Sequence, residues 1–80
     1  MSNPYIFDVG DHLQLKVDYA SDTITYYGYS SPNVTTDDDA WIIKRETKDS
    51  SGRTIALEFA NGNNSPTNIW DNRASLNFGA

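Results

Sequence analysis

The segment from residue 12 to residue 20, "HLQLKVDYA", alternates strictly between polar and apolar side chains. The apolar positions are Leu13, Leu15, Val17 and Tyr19, and the polar positions between them are Gln14, Lys16 and Asp18. Because successive side chains of a strand point to opposite faces of a sheet, this period of two predicts a half-buried β-strand. We expect its apolar side to face the core.

A short polar turn follows, and then "TITYYGYS", residues 23–30, which is rich in β-branched and aromatic side chains. Such a segment favours a strand, and the short turn predicts a hairpin with the preceding one. Alternation places Ile24 and Tyr26 on one face and Tyr27 and Tyr29 on the other. With Ile24 toward the core, the two latter tyrosines are candidates for an outer, partner-facing patch, and packing under the loops is the alternative interpretation.

A second hairpin is predicted from "WIIKRETK", residues 41–48, and "RTIALEFA", residues 53–60, which flank the turn sequence "DSSG". In the second of these strands Ile55, Leu57 and Phe59 share one face. The segment "RASLNF", residues 73–78, aligns alternate apolar side chains and is predicted as a last strand. Polar linkers lie between these segments, and Thr36–Ala40 is expected to form at most one helical turn.

Five candidate strands without a convincing helix predict an all-β fold, a small antiparallel sandwich or a partly open barrel. We expect an N-terminal arm over residues 1–11 and a single β domain over residues 12–80. The arm contains Tyr5 and Phe7, which are candidates for contact with a partner. Exposed strand edges and an extended arm favour oligomerisation or docking.

Charge and composition exclude several classes of protein. Eleven acidic residues against six basic ones give a net charge of −5, which argues against a nucleic-acid backbone as the main ligand. The absence of cysteine excludes disulfides and thiolate zinc sites. No apolar run reaches the roughly 20 residues that cross a bilayer, and the first residues lack the pattern of a secretion signal. A soluble protein made in the cytoplasm is expected.

No catalytic or metal site is predicted, and no cofactor. His12 is the only histidine and is expected to be solvated at the start of a strand. The run Asp37–Asp39 lacks the alternate spacing and central glycine of a calcium loop, so a solvated turn is the preferred interpretation over a calcium site.

The stretch "NIWDNRASLNF", residues 68–78, places a tryptophan next to two charged residues. An aspartate and an arginine beside a large ring commonly fix a chain reversal, because the carboxylate accepts hydrogen bonds while the ring covers the core edge. The sequence therefore predicts that these residues close the fold structurally, in preference to binding a ligand. The predicted closing residues are Trp41, Trp70, Asp71 and Arg73.

Three segments together resemble a small protein type encoded in tailed-bacteriophage genomes: "ITYYGYSSPN", "AWIIKR" and "ALEFANGNNSPTNIWDNRASLNF". The resemblance covers about residues 13–78, with matching residues at Tyr26, Gly28, Pro32, Trp41, Ile43, Lys44, Gly62, Trp70, Asp71, Arg73, Ala74 and Leu76. The chain departs from the pattern at Phe59, where tryptophan is usual, and at "NNSPTN", where an aromatic residue is usual. An aromatic-dependent contact near that loop is therefore in doubt.

This family usually carries no assigned function. The resemblance implies a non-enzymatic structural protein of the virion, an accessory component that binds other virion proteins on the head or tail. Many copies per particle, or a homo-oligomer, are expected, with no nucleic acid and no membrane as partner. The alternative is a receptor- or glycan-binding module of a tail fibre that uses Tyr27 and Tyr29, because exposed tyrosines can stack on sugar rings.

Overall fold

The computed structural model describes residues 14–79. Within that range four strands form one sheet: β1 (Gln14–Tyr19), β2 (Ile24–Ser30), β3 (Ile42–Lys48) and β4 (Thr54–Phe59). Each strand pairs antiparallel with the next, in the order β1-β2-β3-β4. A 3₁₀ helix, Trp70–Ser75, follows. The all-β class is confirmed, and over the described residues the sheet is open.

Both predicted hairpins are present, and side chains fix their turns. In the first, the Ser21 hydroxyl accepts hydrogen bonds from the backbone N–H groups of Thr23 (3.3 Å) and Ile24 (3.1 Å). In the second, Asp49 Oδ1 accepts from the N–H groups of Ser51 (2.8 Å) and Arg53 (3.0 Å). Serine and aspartate favour turns because their side chains bind the backbone a few residues further on.

The predicted strand at residues 73–78 is wrong. Its first half belongs to the 3₁₀ helix Trp70–Ser75, and only Phe78 forms a ladder contact, as an isolated bridge to Ala60. In a 3₁₀ helix the side chains at i and i+3 are eclipsed, which places Arg73 directly over Trp70. That stacking and the hydrogen bond from Arg73 Nη1 to the Trp70 carbonyl (3.0 Å) stabilise the helical turn.

The predicted helical turn at Thr36–Ala40 is a hydrogen-bonded turn one residue earlier. The Asp38 N–H donates to the Thr35 carbonyl at 3.1 Å. The Thr35 side chain donates to carboxylate oxygens of Asp37 (2.6 Å) and Asp38 (3.0 Å), so these acids are held by a local turn.

The core lies on one side of the sheet, called the inner face. Its buried members are Tyr26, Trp41, Ile43, Ala60 and Trp70, with Ile24, Val34, Leu76 and Phe78 packed against them. The segment after β4 crosses this side and supplies Trp70, Leu76 and Phe78. A loop, a 3₁₀ helix and an extended tail therefore occupy the place that a second sheet takes in a sandwich.

The burial of β1 is the reverse of the expectation, and the apolar positions of the other edge strand, β4, are exposed as well. Five large hydrophobic residues on β1 and β4 are between 39% and 76% exposed: Leu15, Val17, Tyr19, Ile55 and Leu57. The register aligns Lys16 with Gly28 and Asp18 with Tyr26, so the polar side of β1 is the one that shares the inner face. The prediction was wrong because alternation separates two faces without showing which of them is covered.

The predicted N-terminal arm, residues 1–11, with Tyr5 and Phe7, lies outside the described residues, as does His12. Across residues 14–79, none of the helical structure is long and apolar enough to span a membrane.

Candidate interaction face of the sheet

The side of the sheet opposite the tryptophans, called the outer face, combines apolar and aromatic side chains from all four strands. The strand register places them in neighbouring rows. The members are Leu15, Val17, Tyr19, Thr25, Tyr27, Tyr29, Ile42, Lys44, Glu46, Lys48, Ile55, Leu57 and Phe59. The predicted position of Tyr27 and Tyr29, on the face opposite Ile24, agrees with this register.

Lys44 lies at the centre of the outer face among three aromatic rings. Its Nζ atom is 5.1 Å from the ring centre of Tyr29, 5.9 Å from that of Phe59 and 6.0 Å from that of Tyr27. A lysine stem covers apolar surface while the ammonium group stays near water, and ring faces attract the cation. The middle of an otherwise apolar face is thus positively charged.

Glu46 lies two residues further along β3 and is held by two hydroxyl donors. The Tyr27 hydroxyl donates to Glu46 Oε1 at 2.7 Å, and the Thr54 hydroxyl donates to Oε2. These hydrogen bonds, first that of Thr54 and then that of Tyr27, lower the pKa of Glu46 below its ordinary value, and Lys48 adds to the effect. The hydrogen bond to Glu46 in turn raises the pKa of Tyr27 to about 12, assisted by burial. Glu46 is therefore a fixed negative charge and Tyr27 a neutral phenol at neutral pH.

The predicted closing residues lie on the inner face, where Trp41 and Trp70 pack together. Their ring centres are 5.9 Å apart with the planes tilted by 37°, and the Trp41 indole N–H donates to the Thr35 carbonyl at 2.9 Å. Gly28 forms the surface under this pair, because a Cβ there would lie 2.4 Å from Trp70 Cε3. A tilted aromatic pair stabilises by packing and by ring electrostatics.

The prediction that Asp71 pairs with Arg73 is wrong, because Arg73 pairs with a different aspartate. Arg73 Nε donates to Asp18 Oδ2 at 2.9 Å, and the guanidinium carbon is 4.5 Å from the centre of the Trp70 ring. Asp71 is exposed and contributes its backbone N–H, which donates to the Thr36 carbonyl at 3.0 Å. Asp71 was predicted because it is close to Arg73 in sequence. In the folded chain the carboxylate next to Arg73 is that of Asp18, on β1.

A second arginine holds the C-terminal tail in the same way. Arg45 lies 4.7 Å from the ring centre of Phe78 and donates to Glu58 Oε1 at 2.9 Å. Sequence reasoning missed Lys44, Glu46, Asp18 and Arg45, since each acts through a residue on another element of the fold. The strand register, and for Asp18 the position of the 3₁₀ helix, would have been needed to identify them.

The remaining sequence candidates that the structure describes are the acidic residues Asp37–Asp39. Within residues 14–79 no group of three or more metal-ligating side chains comes together, and no pocket is found. The carboxylates of Asp37 and Asp38 accept hydrogen bonds from Thr35, as described above. The geometry that can bind something is the flat outer face.

Comparison with protein-family models, with curated proteins and with solved structures gave no match to this chain.

Proposed function

We propose that the protein is a non-enzymatic structural component of a tailed-bacteriophage virion, which assembles with virion proteins through the outer face of its sheet. The observation that carries the proposal is the group of exposed apolar side chains on that face, on an acidic chain that otherwise has a polar surface. Contiguous exposed apolar surface of this kind marks protein interaction sites.

The side-chain pattern supports a contact surface and not a solvated one. An antiparallel sheet that keeps one side in water usually carries polar residues on that side. Here Leu15, Val17, Ile55 and Leu57 take those positions, and Tyr27 and Tyr29 lie between them. Tyrosines mixed with aliphatic side chains and few charges are typical of interface centres.

The fold supports the same proposal. The described residues form a single sheet whose inner face is covered by the C-terminal segment, while Leu15, Val17, Ile55 and Leu57 on the outer face stay exposed. We propose that a protein partner covers the outer face in the assembled particle. Placement on the virion is taken from the resemblance to small tailed-phage proteins.

The alternative is a glycan-binding module that stacks sugars on Tyr27 and Tyr29. The Lys44 ammonium lies over both rings, which places a cation where a sugar would stack. Glycan arrays separate the two functions, because the alternative requires binding that Tyr27→Ala and Tyr29→Ala abolish.

Quantitative mass spectrometry of particles purified from the encoding phage tests the proposal directly. We expect the protein in a fixed ratio to the major structural proteins and expect Leu57→Gln, an outer-face change, to reduce its incorporation. The matched control is Ser50→Gln, in the exposed β3–β4 turn, which should be incorporated like the parent. Particles that lack the protein would overturn the proposal.

A further inference from the structure

We infer that the outer face binds the outer face of a second copy of this chain, so that two sheets form an aligned β-sandwich around a two-fold axis. The inference deepens the proposed function and rests on its assignment of this face as an interface. Its basis is that the face is complementary to itself in charge and in side-chain size.

Two neighbouring rows of side chains cross the outer face from β1 to β4. The first consists of Val17, Tyr27, Lys44 and Phe59, and the second of Tyr19, Thr25, Glu46 and Leu57. The proposed two-fold axis lies between the two facing sheets, above the gap between the two rows and parallel to them. Rotation about this axis places the first row of one copy against the second row of the other. In such a symmetric interface every contact occurs twice.

The charges at the centre of the face fit this symmetry. Lys44 and Glu46 lie side by side on β3, at equivalent distances from the axis, so each lysine of the dimer faces the glutamate of the other copy. Within residues 14–79, which contain nine acidic and six basic residues, the outer face carries Lys44, Lys48 and Glu46, a small positive sum. The excess negative charge of these described residues therefore lies away from the contact, where repulsion between the copies is screened by salt.

Side-chain sizes also alternate across the axis. Val17 faces the larger Tyr19 and Phe59 faces Leu57, while Tyr27 lies opposite the small Thr25, which is itself buried among its neighbours at 3% exposure. Large side chains opposite small ones allow two facing sheets to interdigitate at the usual separation of about 10 Å. An unrelated partner would need to match both this size pattern and the reversed charges.

The area of the face suits a weak dimer. Four strands about 4.8 Å apart, with about six residues rising 3.4 Å each, give a face of about 19 by 20 Å, or roughly 390 Å² in projection. Stable, specific interfaces begin at roughly 600 Å² per partner, and weak, transient ones bury less. We expect a dimer that dissociates on dilution.

Sedimentation equilibrium of the full chain over a wide concentration range tests the inference. The parent should show a monomer–dimer equilibrium. Lys44→Glu places like charges opposite each other, as does Glu46→Lys, and each should weaken the dimer by at least tenfold. Mixed one to one, the two variants restore both opposite-charge pairs, so a heterodimer with near-parental affinity is expected.

The matched control is Lys16→Glu, the same charge change on the inner side of β1, which should dimerise like the parent. Far-UV circular dichroism checks that each variant is folded. If Glu46→Lys unfolds through the loss of its hydroxyl donors, Leu57→Arg replaces it, because Leu57 is exposed and its charge would face Phe59 of the other copy. Leu57→Arg should then weaken the dimer as well.

Three results would overturn the inference: a monomer at every concentration, variants that associate like the parent, or a mixture of the two charge variants that stays monomeric. A monomer that dimerises only after deletion of residues 2–11 would show that this segment of the same chain occupies the face. The particle assay is independent: a dimer absent from virions overturns the proposed function alone, and a monomer present in virions overturns the inference alone.

Discussion

Arg73 Nε lies 2.9 Å from Asp18 Oδ2, and this ion pair ties the C-terminal 3₁₀ helix to the first strand of the sheet. Fifty-five residues separate the two partners in sequence. The same guanidinium stacks on Trp70, so one side chain fixes the position of the ring that covers the core.

Arg73→Ala is therefore expected to destabilise the fold by about 2 kcal/mol, since it removes a partly buried ion pair and a cation–π contact. For a domain of this size, that loss corresponds to a decrease in Tm of roughly 10 °C. The control is Arg53→Ala, because Arg53 pairs with Asp49 while its side chain is 79% exposed. Thermal unfolding followed by tryptophan fluorescence measures both, and equal shifts would show that the Asp18 pair contributes nothing special.

Gly28→Ala should destabilise the protein by about 3 kcal/mol, because the new methyl group would overlap the Trp70 ring and force it out of the core. Gly52→Ala is the control: its φ of +84° makes a side chain strained, but nothing lies within 4 Å of the new atom, so a loss of about 1 kcal/mol is expected. Urea unfolding gives both values, and near-UV circular dichroism reports the displaced indole. A Gly28 variant as stable as the parent would mean that Trp70 has room elsewhere.

Tyr27 should ionise later than an ordinary tyrosine when the pH is raised. Its pKa is raised from 10.0 to about 12, so the hydrogen bond to Glu46 stabilises the fold fully below about pH 10 and loses this contribution as the pH rises toward 12. Tyrosinate absorbance during an alkaline titration measures the effect. Tyr27→Phe should remove a late-ionising group, and Glu46→Gln should shift that group to lower pH. Identical titrations of parent and Glu46→Gln would contradict the assignment.

Asp49→Asn should make the free energy of unfolding fall less steeply as the pH is lowered, and the variant should stay folded at neutral pH. The backbone N–H of Arg53, then that of Ser51 and the Arg53 side chain, hold the pKa of Asp49 below its ordinary value of 3.8. The carboxylate therefore stabilises the fold above about pH 4, and this contribution is lost as the pH falls through the lowered pKa. An asparagine keeps an acceptor oxygen for the turn and does not titrate. Urea midpoints from pH 2 to pH 6 measure the difference, and parallel curves for the two proteins would refute the prediction.

Sequence patterns were sufficient to identify β1 to β4 and both hairpins, because alternation and turn residues are local properties. They misassigned the covered side of β1. Leu15 and Leu57 are apolar, but Gly28 leaves space for Trp70 on the other side of the sheet. Asp18 also lies on that side, where it pairs with Arg73. Which face becomes the core depends on contacts between distant residues, and the chain carries apolar side chains on both faces.

The C-terminal segment shows a second limit of local pattern reading. Ala74, Leu76 and Phe78 are spaced like a strand, yet the spacing of three between Trp70 and Arg73 is the one that the 3₁₀ helix uses. That signal was present in the sequence. The spacing of three competes with the strand pattern, and the stacking of Arg73 on Trp70 favours the 3₁₀ helix. The sequence predicted a structural role for the two tryptophans, and both are buried in the core. The partner of Arg73 could be identified only from the fold.

The position of Trp70 late in the chain affects how the protein is made. Before residues 70–78 have left the ribosomal exit tunnel, the two hairpins can already pair, but neither side of the sheet is yet shielded from water. A nascent chain at that stage is a sheet with apolar surface exposed on both sides, where chaperones and neighbouring nascent chains can bind. Rapid completion of the last turn is then a safeguard against aggregation during translation.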